Sequence, residues 1–144
     1  MTALKAGSVI RYAYLWADKA RRGDSEGSKD RPALVIAVAV LDSDGTPNVV
    51  VLAVTHTHPD NPRDAVELPL AVKRQLGLDA ARSWIVTTEA NAFRWPGPDI
   101  RAIPGQEIAT SIYGRISPAL LQRVAQSYID NMRAGRARVV PRSG

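Results

Sequence analysis

A chain of 144 residues, 45% of them apolar, has the size and composition of one globular domain, and the absence of cysteine excludes both a disulfide framework and thiolate metal ligation. The formal net charge of +5 arises from 19 basic against 14 acidic residues, arginine being the commoner base, which favours a polyanionic partner. No run approaches the ~20 apolar residues of a membrane-spanning helix and the first residues lack an apolar signal segment, so a cytoplasmic protein is expected.

Residues 9–16 have the aromatic and β-branched content of a first strand, opened by Gly7-Ser8. Residues 17–30 are charged and polar, contain two glycines and show no apolar period, which predicts a long loop. That loop carries Lys19, Arg21, Arg22 and Lys29, and it ends at Asp30-Arg31-Pro32. Proline is tolerated at a strand's first position, so the apolar run 33–41 reads as a buried second strand with Arg31 at its mouth. A turn at 42–48 returns the chain into a third strand, 49–55. Both strands are apolar on both faces, which suits a small closed barrel or a sheet covered by helices. In an antiparallel hairpin the end of one strand lies beside the start of the other, so Thr55 is expected close to Arg31.

Further along, 65–68 is a short strand, and 69–76 a helix with an early proline and Gly77 as its cap. Residues 83–88 form the next strand, which leads into Glu89, and 110–116 close the sheet. Ser117-Pro118 is a helix start, and Leu120, Leu121, Val124, Tyr128, Ile129 and Met132 recur at helical spacing, predicting an amphipathic helix laid on the sheet and ended by Gly135. Residues 1–134 are thus expected to form a single domain and 135–144 a frayed basic tail.

Several residues carry chemistry. The planar, permanently charged guanidinium of Arg31 suits a phosphate; its structural alternative is an ion pair with Asp30 or Glu89. His56 and His58 are the only histidines and directly follow Thr55. An imidazole titrates near neutrality and serves as general acid or base, but in extended backbone His56 faces away from Thr55, so the two share a site only if the chain leaves strand geometry there. The alternative is two exposed loop histidines. With no cysteine or third histidine, only carboxylates remain to complete a metal site, and neither metal nor cofactor is expected. Glu89 is a candidate base or an anchor for Arg31. Arg94 and Trp95, with Phe93, form an aromatic and basic cluster suited to stacking on unpaired bases, or to packing beneath the proline-rich stretch 96–104.

The ordered set of Gly7 before the first strand, the long charged loop, Asp30-Arg31-Pro32 before a β-branched run, a strand closing in Thr55 and a later strand ending in Glu89 resembles the PemK/MazF toxin family. The likeness runs from Gly7 to the C-terminal helix. Departures are Gly7-Ser8 where members commonly have Gly-Asp, the longer first loop, the Thr-His-Thr-His segment and the proline-rich stretch. The resemblance implies a mainly β, SH3-like small barrel with a short internal helix and a C-terminal amphipathic helix. It also implies a homodimeric, metal-independent endoribonuclease that cuts single-stranded RNA by transesterification through the 2′-hydroxyl, and an acidic antitoxin whose flexible tail fills the RNA groove. Carried over by position, the family's active-site arginine and threonine fall on Arg31 and Thr55, and its acidic position on Glu89; with His56 these are the expected catalytic set. Lys19, Arg21, Arg22, Lys29, His58, Arg94 and Trp95 are the expected RNA contacts. Two alternatives remain open on the same fold: a non-catalytic barrel that inhibits a protein such as DNA gyrase, and a member that only binds RNA.

Overall fold

The computed structural model describes residues 4–21, 30–40, 47–95, 97, 99–105 and 110–142. In chain order the elements are β1 (Ser8–Ala13), α1 (Ala17–Arg21), β2 (Asp30–Val40), β3 (Pro47–Thr55), a single 3-10 turn (Pro62–Asp64), β4 (Ala65–Leu68), α2 (Leu70–Gln75), β5 (Ser83–Val86), β6 (Glu89–Arg94), β7 (Ile112–Arg115), α3 (Pro118–Arg133) and β8 (Arg138–Pro141). The strands run β4-β5-β3-β2-β1-β7, with β6 on β3 and β8 on β6. One flank of β3 is shared by two strands: its first half pairs with β6 (Asn48↔Arg94 to Val51↔Asn91) and its last residues with β5 (Val54↔Ile85, Thr55↔Trp84). A strand that changes partner partway along cannot lie in a flat sheet, and the sheet curls into the small SH3-like barrel.

Alternation along the central strands divides the core into two clusters. Val9, Leu34, Leu52 and Val54 pack with Leu76, Leu120, Val124 and Tyr128 of the helical side. Ile10, Tyr12, Tyr14, Val35, Val49, Val51 and Phe93 fill the opposite face. A bulge in β2 between Val35 and Ala37 inserts one residue against β3. The extra residue reverses the alternation, so Leu34 and Ile36 serve the first cluster whereas Val38 serves the second. Both faces of the hairpin are buried over residues 33–35 and 51–54, whereas Ala37 and Ala39 beyond the bulge are exposed.

Pro32 lies three residues into β2 and pairs with Arg11. Its missing N–H is accommodated because Arg11 turns its own backbone groups the other way: its N–H donates to the Ser111 carbonyl (2.8 Å) and its carbonyl accepts from Arg101 (3.0 Å). Helix α3 starts as its sequence dictates. The Ser117 hydroxyl accepts from the Leu120 N–H (3.2 Å), a cap worth about 1 kcal/mol, and Leu120, Val124, Tyr128 and Asn131 turn inward. Ile129 and Met132, expected on this apolar face, are instead exposed at 41% and 45%. Asn131 takes the inward position of that turn because its amide donates to the backbone carbonyls of Arg63 (2.8 Å) and Thr87 (3.0 Å). No described helix is long and apolar enough to cross a membrane.

Five further expectations are corrected. Arg31 lies within β2, opposite Tyr12 of β1, rather than in the loop before it. The expected loop at 17–30 begins with α1, and β1 ends at Ala13, short of Trp16. Glu89 opens β6 instead of closing the preceding strand. The expected frayed tail forms β8, parallel to β6 from Glu89↔Arg138 to Ala92↔Pro141, because Val140 finds a buried place there and Arg142 a set of acceptors.

Candidate functional site

The antiparallel hairpin of β2 and β3 brings Arg31 and Thr55 to one end of the barrel, where both line a cavity of about 460 Å³ with Trp16, Asp30, Pro32, Val54, His56, Thr57, Lys73, Leu78, Asp79 and Ser83. The neighbourhood expected from hairpin geometry is thus present. The chain leaves β3 after Thr55, and the Thr57 N–H donates to the Thr55 hydroxyl (3.2 Å). This local turn abolishes the alternation that would face Thr55 and His56 apart, so both reach the same cavity.

Arg31 is partly buried, with its guanidinium carbon 4.9 Å from the centroid of the Trp16 ring. Its Nε is buried with no hydrogen-bond partner among the described residues. Neither carboxylate offered by the sequence takes it. Asp30 lies against Arg11 (3.5 Å) and Arg101 (3.4 Å), while Glu89 accepts from the Ala17 N–H (2.9 Å) and the Tyr14 hydroxyl (3.3 Å). Burial draws the Arg31 pKa below its ordinary value, and the Tyr14 phenol opposes that shift. A guanidinium held by stacking at the wall of a cavity is an arrangement that can meet an anion there.

His56 Nε2 lies 2.9 Å from Asp79 Oδ2. The other oxygen of Asp79 accepts from Lys73 Nζ (2.5 Å) and from the Ala81 N–H (3.2 Å). Lys73 is 2% exposed, and its remaining donors go to the Ser83 hydroxyl (2.6 Å) and the Ala81 carbonyl. Its three N–H donors meet three acceptors, so Asp79 is anchored from the interior although it is itself well exposed. The lysine hydrogen bond is the largest of the influences that hold the Asp79 carboxyl below its ordinary range; burial acts against it, and the His56 charge adds to it. The loop holding Asp79 begins at Gly77, whose φ of 72° supplies the left-handed turn that ends α2.

The remaining expected residues scatter. His58 packs its ring 4.8 Å from that of Trp84, with Nδ1 2.9 Å from the Pro59 carbonyl, and lines an adjoining cavity of about 330 Å³ that shares Trp16, Thr55 and Thr57 with the first. Glu89 does not line the Arg31 cavity and anchors the start of α1 through the Ala17 N–H. Arg94 and Trp95 sit beside the opposite end of β3, seven residues from Thr55, or roughly 23 Å along an extended strand. There Phe93 is buried in the core and stacks on Tyr12 (4.9 Å, 25°). Lys19 is half-buried on α1 and lines neither cavity; Arg21 closes that helix, and Arg22 and Lys29 lie outside the described residues.

Sequence reasoning missed Trp16, Lys73 and Asp79 as members of the site. Trp16 reads as the end of a strand, and the other two as ordinary charges of a short helix and its exit. No local signal marks them, since each enters through a fold-back of distant elements.

No curated protein matches the chain. A family model described as PemK-like, MazF-like toxin of type II toxin-antitoxin system matches residues 11–128, from the middle of β1 into α3, and includes every residue that lines the Arg31 cavity. The chain therefore belongs to the PemK/MazF family of type II toxins.

Proposed function

We propose that the protein is an endoribonuclease that cleaves single-stranded RNA at the Arg31 cavity without a metal ion. The observation that carries this reading is the guanidinium of Arg31, stacked on Trp16 and lining the same cavity as Thr55 and His56 while Asp30 and Glu89 are engaged elsewhere. Transesterification forms a bond from the 2′-oxygen to phosphorus, breaks the bond to the 5′-oxygen, removes a proton from the first oxygen and supplies one to the second. Arg31 stabilises the charge on the pentacovalent phosphorane, which is the task a fixed guanidinium performs best. The Thr55 hydroxyl hydrogen-bonds a phosphate oxygen, and His56 transfers a proton. Trp16, shared by the two adjoining cavities, offers a surface for a neighbouring base.

In this reading Glu89 supports α1 rather than transferring a proton. The basic residues of α1 and the following segment steer the RNA, and a partner antitoxin with an acidic segment covers the same cavity. A homodimer in the cytoplasm completes the proposal. The test is incubation of the purified protein with end-labelled single-stranded RNA in EDTA. Fragments ending in 2′,3′-cyclic phosphate, absent with Arg31→Ala, are the expected result; intact RNA under these conditions overturns the reading.

A further inference from the structure

The Lys73, Asp79 and His56 chain has an asymmetry that bears on how a proton moves. An ionised carboxylate only accepts hydrogen bonds, so Asp79 Oδ2 at 2.9 Å requires Nε2 of His56 to carry the hydrogen. A neutral imidazole then has a single accepting atom, Nδ1. We infer that Asp79 is a positioning residue for His56: held from the interior by Lys73, it selects the Nε2–H tautomer and makes Nδ1 the atom through which His56 acts on the RNA. This inference rests on the endoribonuclease reading for its chemistry, but the tautomer follows from the contacts alone.

The arrangement follows the logic of a base oriented by an acid, with the acid here exposed but steadied by the buried Lys73 and the Ala81 N–H. With His56 as base, Nδ1 takes the 2′-hydroxyl proton as the bond from the 2′-oxygen to phosphorus forms. The bond to the 5′-oxygen breaks, water supplies the proton that this oxygen gains, and the imidazolium later returns its proton to water. While charged, the ring sits against Asp79, which stabilises it. The charged groups that face His56 from the surrounding elements are Arg31 and Asp30 of β2, Lys73 of α2 and Asp79 itself. Asp30 is engaged by Arg11 and Arg101, and Lys73 is saturated, leaving Asp79 as the carboxylate in contact with the ring.

The decisive measurement is a long-range proton–nitrogen correlation spectrum of the full-length labelled protein, which distinguishes imidazole tautomers. The chain has only two histidines, so His58→Gln assigns the signals. His56 is expected as the Nε2–H form, and as a tautomer mixture in Asp79→Asn. A mixture in the unaltered protein, or an unchanged spectrum in Asp79→Asn, overturns the inference. The unaltered protein decides the first point even where the variant does not fold.

Cleavage supplies the second readout. Asp79→Asn is expected to lower kcat by about ten- to a hundredfold with KM within about threefold, while Asp79→Glu recovers part of the rate. Equal kcat values for Asp79→Asn and the unaltered protein overturn the inference and leave the nuclease reading intact. A protein that leaves RNA uncut sinks the nuclease reading and with it the role of Nδ1 in cleavage, while the spectrum still decides whether Asp79 positions His56.

Discussion

Two arginines enter the protein beside aromatic rings, and they differ in what their donors meet. Arg142, just past β8, lies 5.8 Å from the Tyr12 ring centroid and is 3% exposed in its side chain. It donates to Asp99 (2.6 Å), the Ala13 carbonyl (2.8 Å) and Asn91 Oδ1 (3.3 Å). Arg31 lies 4.9 Å from Trp16 beside an open cavity, with its Nε unpartnered among the described residues. The first closes the fold, since its charge is matched inside the chain. The second is held by stacking at a cavity wall with no carboxylate partner among the described residues, which suits the proposed contact with a phosphate.

Substitution separates the two. Arg31→Ala is expected to reduce RNA cleavage by about 10²–10³-fold, the scale of losing one preorganised donor to a developing oxyanion, with the thermal midpoint nearly unchanged. An active, folded Arg31→Ala protein would erase the contrast. Arg142→Ala leaves Asp99 without this partner and is expected to cost about 3 kcal/mol, lowering Tm by about 10 °C, while cleavage per folded molecule stays within about twofold. Calorimetry and single-turnover cleavage on the same preparations measure both quantities.

A pH titration sharpens the same contrast from the aromatic side. Burial first, and the neighbouring Glu89 second, push the Tyr14 hydroxyl well above its ordinary pKa, and burial does the same for Tyr12. Both groups have raised folded-state pKa values, so the stability they contribute is complete below the unfolded value of about 10 and is lost as pH rises beyond it. Chemical denaturation is expected to show stability falling from about pH 10 upward, with a shallower fall in Tyr14→Phe. At the acid end the sign reverses for Asp79, whose folded pKa is depressed. Its contribution is present above about pH 4 and lost below, and Asp79→Asn removes that part of the slope.

The smallest effect belongs to Arg94→Ala. It lies beside the opposite end of β3 from Thr55 and is expected to change the cleavage rate of a short RNA by less than about twofold, since a phosphate contact remote from the reacting bond adds only uniform binding. A loss comparable to that of Arg31→Ala would mean that the two ends of the barrel act on one reacting bond.

The parts of this site that were legible in the sequence are those governed by short-range rules. Thr55 lies near Arg31 because antiparallel pairing makes neighbours of a strand's end and its partner's start, and the apolar runs around them declare the hairpin. The family pattern rests on the same residues. Glu89 was misplaced because Ser83-Trp84-Ile85-Val86-Thr87-Thr88 reads as one continuous strand. Its interruption depends on Thr87, which is buried and bonded to Ser127 (2.9 Å) of α3, forty residues away. Strand β8 escaped notice because Val139 and Val140 stand among arginines, and only the parallel pairing with β6 gives them somewhere to go. Lys73 and Asp79 resemble any charges leaving a short helix until β5 brings Ser83 beneath them.

Sequence alone therefore determined the central hairpin, with apolar residues on both faces, and the capped C-terminal helix, because apolar runs, turns and capping act over a few residues and leave a local trace. Tertiary structure decided which carboxylate each cation keeps: Asp30 for Arg11 and Arg101, Asp79 for Lys73 and His56, Asp99 for Arg142, and none of Asp30, Asp79 or Glu89 for Arg31. Charge pairing is settled by distance and burial after the elements have packed, and these partners lie from 6 residues apart (Lys73 and Asp79) to 71 (Asp30 and Arg101).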